Sequence, residues 1–286
     1  MTQKLALLLT CHNRKDKTLA CLSSLYKCKI PDVYAFKVFL VDDGSTDGTA
    51  MAVKEEFPLV NIITGNGNLF WAGGMRLAWS EAIRNGYDNF LLINDDVELY
   101  DTFFNSIIET HQYAMEHFGV GGLYVSSTID ARTNTITYGG TTVKKTPFGN
   151  ISKMLIPSDK PISCQITNAN ILFISADVVK KIGTFNNRYT HTFADYDYSM
   201  TAYENKLPVL VCPGIGGHCE NDHIKNWMPA NSTFKERLGY LYNPKGLAYS
   251  DYLYYIRKHF PLSLPYFFLM LWLKTFFPAI WDKYKK

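Results

Sequence analysis

Residues 89–100 read NFLLINDDVELY, and the rest of the chain can be arranged around them. Four apolar residues, Phe90 to Ile93, run without a turn residue into Asn94-Asp95-Asp96. A short apolar run bounded by polar residues is the pattern of a strand buried on both faces of a parallel sheet. Two adjacent carboxylates at its carboxyl end repel each other unless something positive sits there. A bound cation is the simplest candidate.

Upstream, short apolar runs alternate with amphipathic segments. KLALLLT ends at Thr10, FKVFLVDD ends at Asp43, and VNIIT follows; the helical spacings DKTLACLSSLYKC, STDGTAMAVKEEF and GGMRLAWSEAIRNG lie between them. The second of these helices opens on Ser45 or Thr46 as its cap, and the third closes at Gly86. This alternation predicts βαβ units, that is, an α/β fold with a mainly parallel sheet flanked by helices. Thr10 with Asn13, Asp42 with Asp43, and Asn94 to Asp96 all stand at strand ends, and in open α/β sheets ligands bind outside the carboxyl ends of strands. A helix is expected over about 101–117. Residues 120–170, rich in Gly, Thr and β-branched residues, suggest short and partly antiparallel strands. ANILFIS resumes a core strand, ADVVKKIG is a short helix, and LPVLVCPG is a last strand. Beyond a boundary near residue 222 the chain becomes helical and aromatic, which divides it into 1–221 and an extension over 222–286.

Composition narrows the function. A chain of 286 residues that is 47% hydrophobic and 19% charged is globular, and a net charge of +3 is too small to argue for nucleic acid. The six cysteines form no CxxC pair and no zinc-ligand spacing, so they read as reduced, buried thiols of a cytoplasmic protein. Leu5 to Leu9 is too short for a signal sequence and reads as a first strand. There is no internal repeat.

Several clusters carry chemistry, each with a plainer alternative. The first strand ends in TCHNR, not in a GxGxxG loop, which argues against a dinucleotide fold. Asp42 and Asp43 in VDDGSTDGT can accept from a base or ribose, or can be turn and capping material. GNGNLFWAGGMR, residues 65–76, is a Gly-rich segment whose backbone can approach an anion at a helix start, with Arg76 adding charge, or is a structural loop. In NDD, a hard divalent cation such as Mg²⁺ or Mn²⁺ would take Asp96 as direct ligand, with Asp95 on the ribose or on a metal-bound water; N-capping is the alternative. FADYDYS sets Asp195 and Asp197 at a helix entrance, where either can be a general base or both can be caps. His218 in GIGGHCEND can complete a metal sphere or be a structural hydrogen-bonder; His12, His191 and His223 have weaker claims.

Taken in order, TCHNR, VDDGSTDGT, GNLFWAGGM, LLINDDVELY, FADYDYS and GGHCE resemble the family 2 glycosyltransferases of the GT-A fold, over roughly residues 4–220. Within that family the chain is similar to bacterial rhamnosyl- and galactofuranosyltransferase-like enzymes of surface-polysaccharide synthesis. The resemblance implies a Rossmann-like mixed sheet and an inverting transfer from a UDP- or dTDP-linked sugar, with a divalent metal on the diphosphate. The acceptor would be a glycan or a lipid-linked acceptor. By the same resemblance Thr10, Asn13 and Arg14 line the nucleotide pocket and Asp42 faces the base. Gly65 and Asn68 through Gly74, including Trp71 and Gly73, form the nucleotide- and sugar-facing loop. Asp96 and His218 bind the metal and Asp195 is the base, although Ala194 stands where the family commonly has a second acid, which leaves Asp197 as the alternative. A non-catalytic binding module and a sugar nucleotidyltransferase are the competing readings. The latter would show glycines after the first strand, and TCHNRKDK has none.

The tail, residues 252–284, is aromatic and apolar from Leu262 to Trp281 and is broken by Pro265, Lys274 and Pro278. It is borderline for a spanning helix. With Trp272, Trp281, Tyr284 and several Lys and Arg residues it fits a segment lying in a membrane interface, peripheral at the inner face of the cell membrane. A helix docked on the catalytic domain and a self-association surface are the alternatives.

Overall fold

Leu5 to Leu9 are completely buried, and their alternation explains why. Leu5, Leu7 and Leu9 enter one apolar cluster, and Ala6 and Leu8 enter another on the opposite face. A strand covered on both sides has no polar face to show, hence the unbroken run. The computed structural model describes residues 3–146, 149–220 and 232–279.

The elements run β1 (Gln3–Cys11), α1 (Lys15–Lys27), β2 (Tyr34–Asp42), α2 (Thr49–Glu56), β3 (Asn61–Thr64), α3 (Phe70–Arg84) and β4 (Asn89–Ile93). Then come β5 (Glu98–Leu99), α4 (Phe103–Phe118), β6 (Leu123–Ile129), β7 (Ile136–Tyr138), β8 (Gly140–Thr146), β9 (Gly149–Met154), β10 (Ile162–Ser163), β11 (Ile166–Thr167) and β12 (Ile171–Ile174). The chain continues through α5 (Ala176–Ile182), α6 (Ala194–Glu204), β13 (Val209–His218), α7 (Phe234–Tyr242), α8 (Tyr249–His259) and α9 (Leu264–Phe276). The main sheet has the order β10-β13-β6-β12-β4-β1-β2-β3, and β8, β9 and β11 form a small second sheet. β3, β2, β1 and β4 are mutually parallel, as are β6 and β13, whereas β12 is antiparallel to both β4 and β6. The sheet is therefore mixed and mainly parallel.

Buried residues of α1 and α4 cover one face, and those of α3 and α6 cover the other. Trp79 of α3 is wholly buried against Phe90, Phe185 and Tyr198. Tyr255, Ile256 and Phe260 join this second cluster, so α8 packs into the same core as the sheet. The expected boundary at 222 lies outside the described residues, as do His223, Trp281 and Tyr284.

Three expectations need correction. α3 begins at Phe70, so Trp71, Gly73 and Gly74 are helical and do not belong to a loop. α2 is not capped by Ser45 or Thr46; Asp47 Oδ1 accepts from Thr49 N–H at 3.1 Å, and Ser45 Oγ accepts from Asn13 N–H at 2.9 Å. His218 is the last residue of β13 and not a residue beyond it, because Gly214, at φ +67°, lets the strand bulge after Pro213 and resume.

Candidate active site

β1, β2 and β4 are parallel and β12 runs against them, so their polar ends meet at one edge of the sheet. There the Asp95–Asp96 pair meets Arg14. The Arg14 guanidinium donates from Nη2 to Asp96 Oδ2, and its Nε lies 3.5 Å from Asp95 Oδ2. Arg14 is thus a counterion of the acidic pair, the positive group that the sequence demanded. Burial pushes the Asp95 carboxyl up to about 7 against the pull of Arg14, with Asp96 adding to the rise. No helix starts within the next five residues, which removes the N-cap alternative for both acids.

Asp42 and Asp43 have different duties. Asp42 Oδ1 accepts from Ser45 N–H at 2.9 Å. The buried Asp43 carboxylate accepts from the N–H groups of Gly67 and Leu69, each at 2.8 Å, and Phe70 at 3.1 Å, so it shapes the turn that starts α3. Gly65 makes room for it: a Cβ there would sit 2.8 Å from Asp43 Cα. Asn68 is exposed in that turn, its N–H donating to Asn66 Oδ1 at 2.9 Å. Asn13, at φ +52°, staples the loops after β1 and β2 together, its Oδ1 accepting from Thr46 N–H at 2.7 Å.

Gly73 and Gly74 serve packing and not an anion cradle. A Cβ on Gly74 would run into the Thr10 side chain, 2.8 Å from its Cβ, so Gly74 is where α3 closes onto β1. Arg76 is likewise corrected: its guanidinium donates to the carbonyls of Tyr189 at 2.7 Å and Asn186 at 3.2 Å, bracing the loop before α6. Trp71 stays at the site. Its indole N–H donates to Asn94 Oδ1 at 2.8 Å, and its backbone N–H donates to His191 Nδ1 at 3.3 Å.

The two candidate bases separate clearly. Both acids lie inside the first turn of α6, so neither is its N-cap. Asp197, 3% exposed, accepts from Tyr189 OH, Lys258 Nζ and His259 Nε2, each at 2.9 Å. Although burial raises it, these donors hold its carboxyl below the ordinary value. It is the bolt between α6 and α8, which corrects its place among the catalytic candidates. Asp195 remains partly exposed, and it accepts from Ala169 N–H at 3.1 Å and its neighbour Tyr196 N–H at 2.9 Å. Desolvation lifts its carboxyl to about 6 despite those donors.

At the end of β13, His218 Nε2 lies 3.0 Å from Tyr100 OH, while its Nδ1 is buried without a partner among the described residues. The neighbour Cys219, not His218, reaches Asp96, with Sγ 3.7 Å from Oδ1. Among the described residues no three His, Cys, Asp or Glu side chains gather as a metal cage. The donors nevertheless suit a hard cation. Mg²⁺ and Mn²⁺ are commonly held by one or two carboxylates and by substrate phosphates, and here two adjacent carboxylates stand together against one guanidinium.

The structure therefore gathers Arg14, Trp71, Asn94, Asp95, Asp96 and Asp195 at one edge. Sequence reading missed Asn170, whose carbonyl accepts from Asn94 N–H at 3.1 Å and whose amide donates to Cys219 Sγ at 3.3 Å. It also missed Ala169. Both precede β12, whose amino end reaches the site because that strand is antiparallel, whereas the rule for open α/β sheets points only to carboxyl ends.

A mixed sheet of this order, with an acidic pair beyond its central strand and a second carboxylate across from it, defines a glycosyltransferase fold of GT-A type. The sequence profile described as Glycosyl transferase family 2 matches residues 7–158, more than half of the chain, and the chain belongs to that family. Its fold is similar to that of the mannosyltransferase PcManGT from Pyrobaculum calidifontis, solved with GDP-Man and Mn²⁺. That match has 15% identity and a TM-score of 0.53 over 98% of this chain and 72% of that one. It is also similar to S. aureus TarS 1–349 in complex with UDP-GlcNAc, at 14% identity and a TM-score of 0.54 over 91% of this chain and 74% of that one. Another TarS 1–349 structure aligns over 76% of this chain and only 60% of its own length, at 14% identity and a TM-score of 0.51. No curated protein matches the chain.

Proposed function

We propose that the chain transfers a sugar, with inversion at the anomeric carbon, from a UDP- or dTDP-linked donor to a hydroxyl of a glycan or lipid-linked acceptor in cell-envelope polysaccharide synthesis. The observation that carries the reading is the segment before β12. Ala169 N–H holds Asp195 and the Asn170 carbonyl holds Asn94, so adjacent residues support both the candidate base and the acidic corner. The UDP-GlcNAc bound by TarS and the GDP-Man and Mn²⁺ bound by PcManGT support a nucleotide-sugar donor and a divalent cation.

In this reading Asp195 takes the proton from the acceptor hydroxyl as that oxygen attacks the anomeric carbon opposite the leaving group. A carboxyl at about 6 is ionised at neutral pH yet basic enough to accept the proton. Its two backbone donors fix its direction, and Trp71, pinned to Asn94, walls the sugar side of the pocket. Asp96, with His218 as the further candidate ligand, would hold Mg²⁺ or Mn²⁺. The ion would neutralise charge on the departing nucleoside diphosphate. One displacement suffices, so no enzyme nucleophile is called for. No helix among the described residues is long and apolar enough to cross a membrane. Attachment at the inner membrane face, which a lipid-linked acceptor would use, would be peripheral.

A thermal-shift panel of UDP-, dTDP- and GDP-sugars with and without Mn²⁺ or Mg²⁺ tests the reading, since a ligand that binds only the folded state raises the melting temperature. Stabilisation by one nucleotide sugar, enhanced by the cation, and a product of inverted anomeric configuration by NMR are expected. Failure of every nucleotide sugar to stabilise the protein, or a retained configuration, refutes it.

A further inference from the structure

α9 is built inside out. Its buried stripe contains Leu271 but also the hydroxyl residue Thr275, with Ser263 just before the helix, whereas Tyr266, Leu269, Leu273 and Phe276 face outward. Leu269 is 56% exposed, Phe276 53%, and Leu262, just before the helix, 93%. Phe276 extends the apolar face by stacking on Phe234 of α7, itself exposed, at 5.3 Å. A helix of a soluble surface has the opposite polarity. A contiguous apolar face of this kind marks an interaction surface.

Beside it lies a groove of about 770 Å³ between α8 and α9. Its apolar wall is Leu264, Pro265 and Phe268, and Tyr254 and two arginines also line it. Arg188 and Arg257 each place their guanidinium carbon 5.7 Å from the Tyr254 ring centre, so two cations share one aromatic platform. Arg188 also meets Ser250 Oγ and Asp251. Arg257 is exposed and pairs with no carboxylate among the described residues.

We propose that this face docks on an anionic phospholipid surface, with α9 lying in the interface and the groove between α8 and α9 taking a lipid headgroup phosphate between Arg188 and Arg257. The charges choose the occupant. A twofold contact between copies through this face would set the same arginine-flanked groove against itself, whereas a headgroup phosphate complements it. Length chooses the posture: 13 residues span about 20 Å, short of the roughly 30 Å hydrocarbon core, so α9 lies along the bilayer. The inference deepens the membrane-facing acceptor reading above and rests on it for its purpose. Vesicle binding is measured without donor or turnover, so the two can fail separately.

The test is co-sedimentation of the full chain with phosphatidylcholine vesicles, with and without phosphatidylglycerol. Binding is expected only with phosphatidylglycerol and should weaken with added salt. Arg188→Ala with Arg257→Ala should lower the partition coefficient about 30-fold. Leu269→Asp, at an exposed position, should abolish binding with an unchanged melting temperature. Both sets of variants should still transfer to a soluble acceptor. Equal binding to both vesicle types, indifference to the arginine pair, or no vesicle binding with a concentration-dependent dimer that Leu269→Asp dissolves, would each overturn the proposal.

Discussion

Asp195 and Asp197 stand two residues apart on one helical turn, and the structure gives them opposite fates under substitution. Asp197→Ala removes a buried carboxylate that accepts from Tyr189, Lys258 and His259. Breaking a buried ion pair by deleting one partner costs about 3–5 kcal/mol. The Lys258 side chain is 32% exposed, so its share is screened and the lower half of that range applies, about 3 kcal/mol. For a chain of 286 residues that lowers the melting temperature by roughly 5 °C. Asp195→Asn keeps the shape and discards a charge that burial already disfavours, but its one amide oxygen can keep only one of the two backbone donors, so its melting temperature should fall by only about 2 °C. Activity should run the other way: Asp195→Asn binds donor but transfers at least about 100-fold more slowly, and Asp197→Ala retains most transfer well below its melting point. Differential scanning fluorimetry, donor titration and transfer from a radiolabelled sugar read all three quantities. Normal melting with lost transfer in Asp197→Ala, together with surviving transfer in Asp195→Asn, would reverse the assignment.

Other perturbations test separate parts of the site. Transfer should rise with pH through about 6 as Asp195 loses its proton, and a flat profile between pH 5 and 7 would refute it as base. Stability has the opposite sign: the folded state holds that proton to about 6 and the unfolded chain only to 3.8, so Asp195 makes stability fall as pH rises through this window; Asp195→Asn should make the slope shallower in urea titrations and leave the share of Asp95. Asp96→Ala should cost transfer about 100-fold or more and remove its response to Mn²⁺, checked by rate against metal concentration. Gly74→Ala adds a methyl against Thr10; overpacking of about 1–3 kcal/mol outweighs the roughly 1 kcal/mol gained in helix propensity, so the urea midpoint should fall. Trp71→Phe loses the bond to Asn94, which should cost about 1 kcal/mol and raise the donor KM.

The parallel half of the sheet was legible because its physics is local. Leu5–Leu9, Val38–Val41 and Phe90–Ile93 are buried on both faces, and the helices between them carry one apolar stripe each. The edge that holds the site follows from strand direction alone. What stayed hidden depends on partners far away in the chain. Arg14 meets Asp95 and Asp96 about eighty residues later, and no periodicity marks that meeting. Asp195 and Asp197 look equivalent in FADYDYS until Lys258 and His259 arrive from α8 and occupy only the second. Gly73 and Gly74 resemble a phosphate loop because small residues serve close approach of any kind, and here what approaches Gly74 is Thr10. The tail's apolar run concealed its direction, since hydrophobicity without alternation does not say which stripe faces inward.

The loop from Asn186 to Phe193 joins the two regions for which roles are proposed above. Arg76 of α3 donates to the carbonyls of Asn186 and Tyr189, Ala72 N–H donates to Thr190 O at 3.2 Å, and Trp71 N–H donates to His191. The first turns of α3 therefore hold this loop at several consecutive points. Asp43 fixes the start of α3, and Gly74 closes that helix on β1. Arg188 sits within the braced stretch, three residues before His191, so their Cα atoms are at most about 11 Å apart. Asp195 follows in the first turn of α6, whose position Asp197 ties to α8, the helix that forms one wall of the arginine groove. The proposed headgroup groove and the proposed proton acceptor are thus joined by one run of hydrogen-bonded chain. On the two proposals the fold, and not a flexible linker, would fix the height of Asp195 above a docked surface, and loosening the Arg76 brace should blur that height.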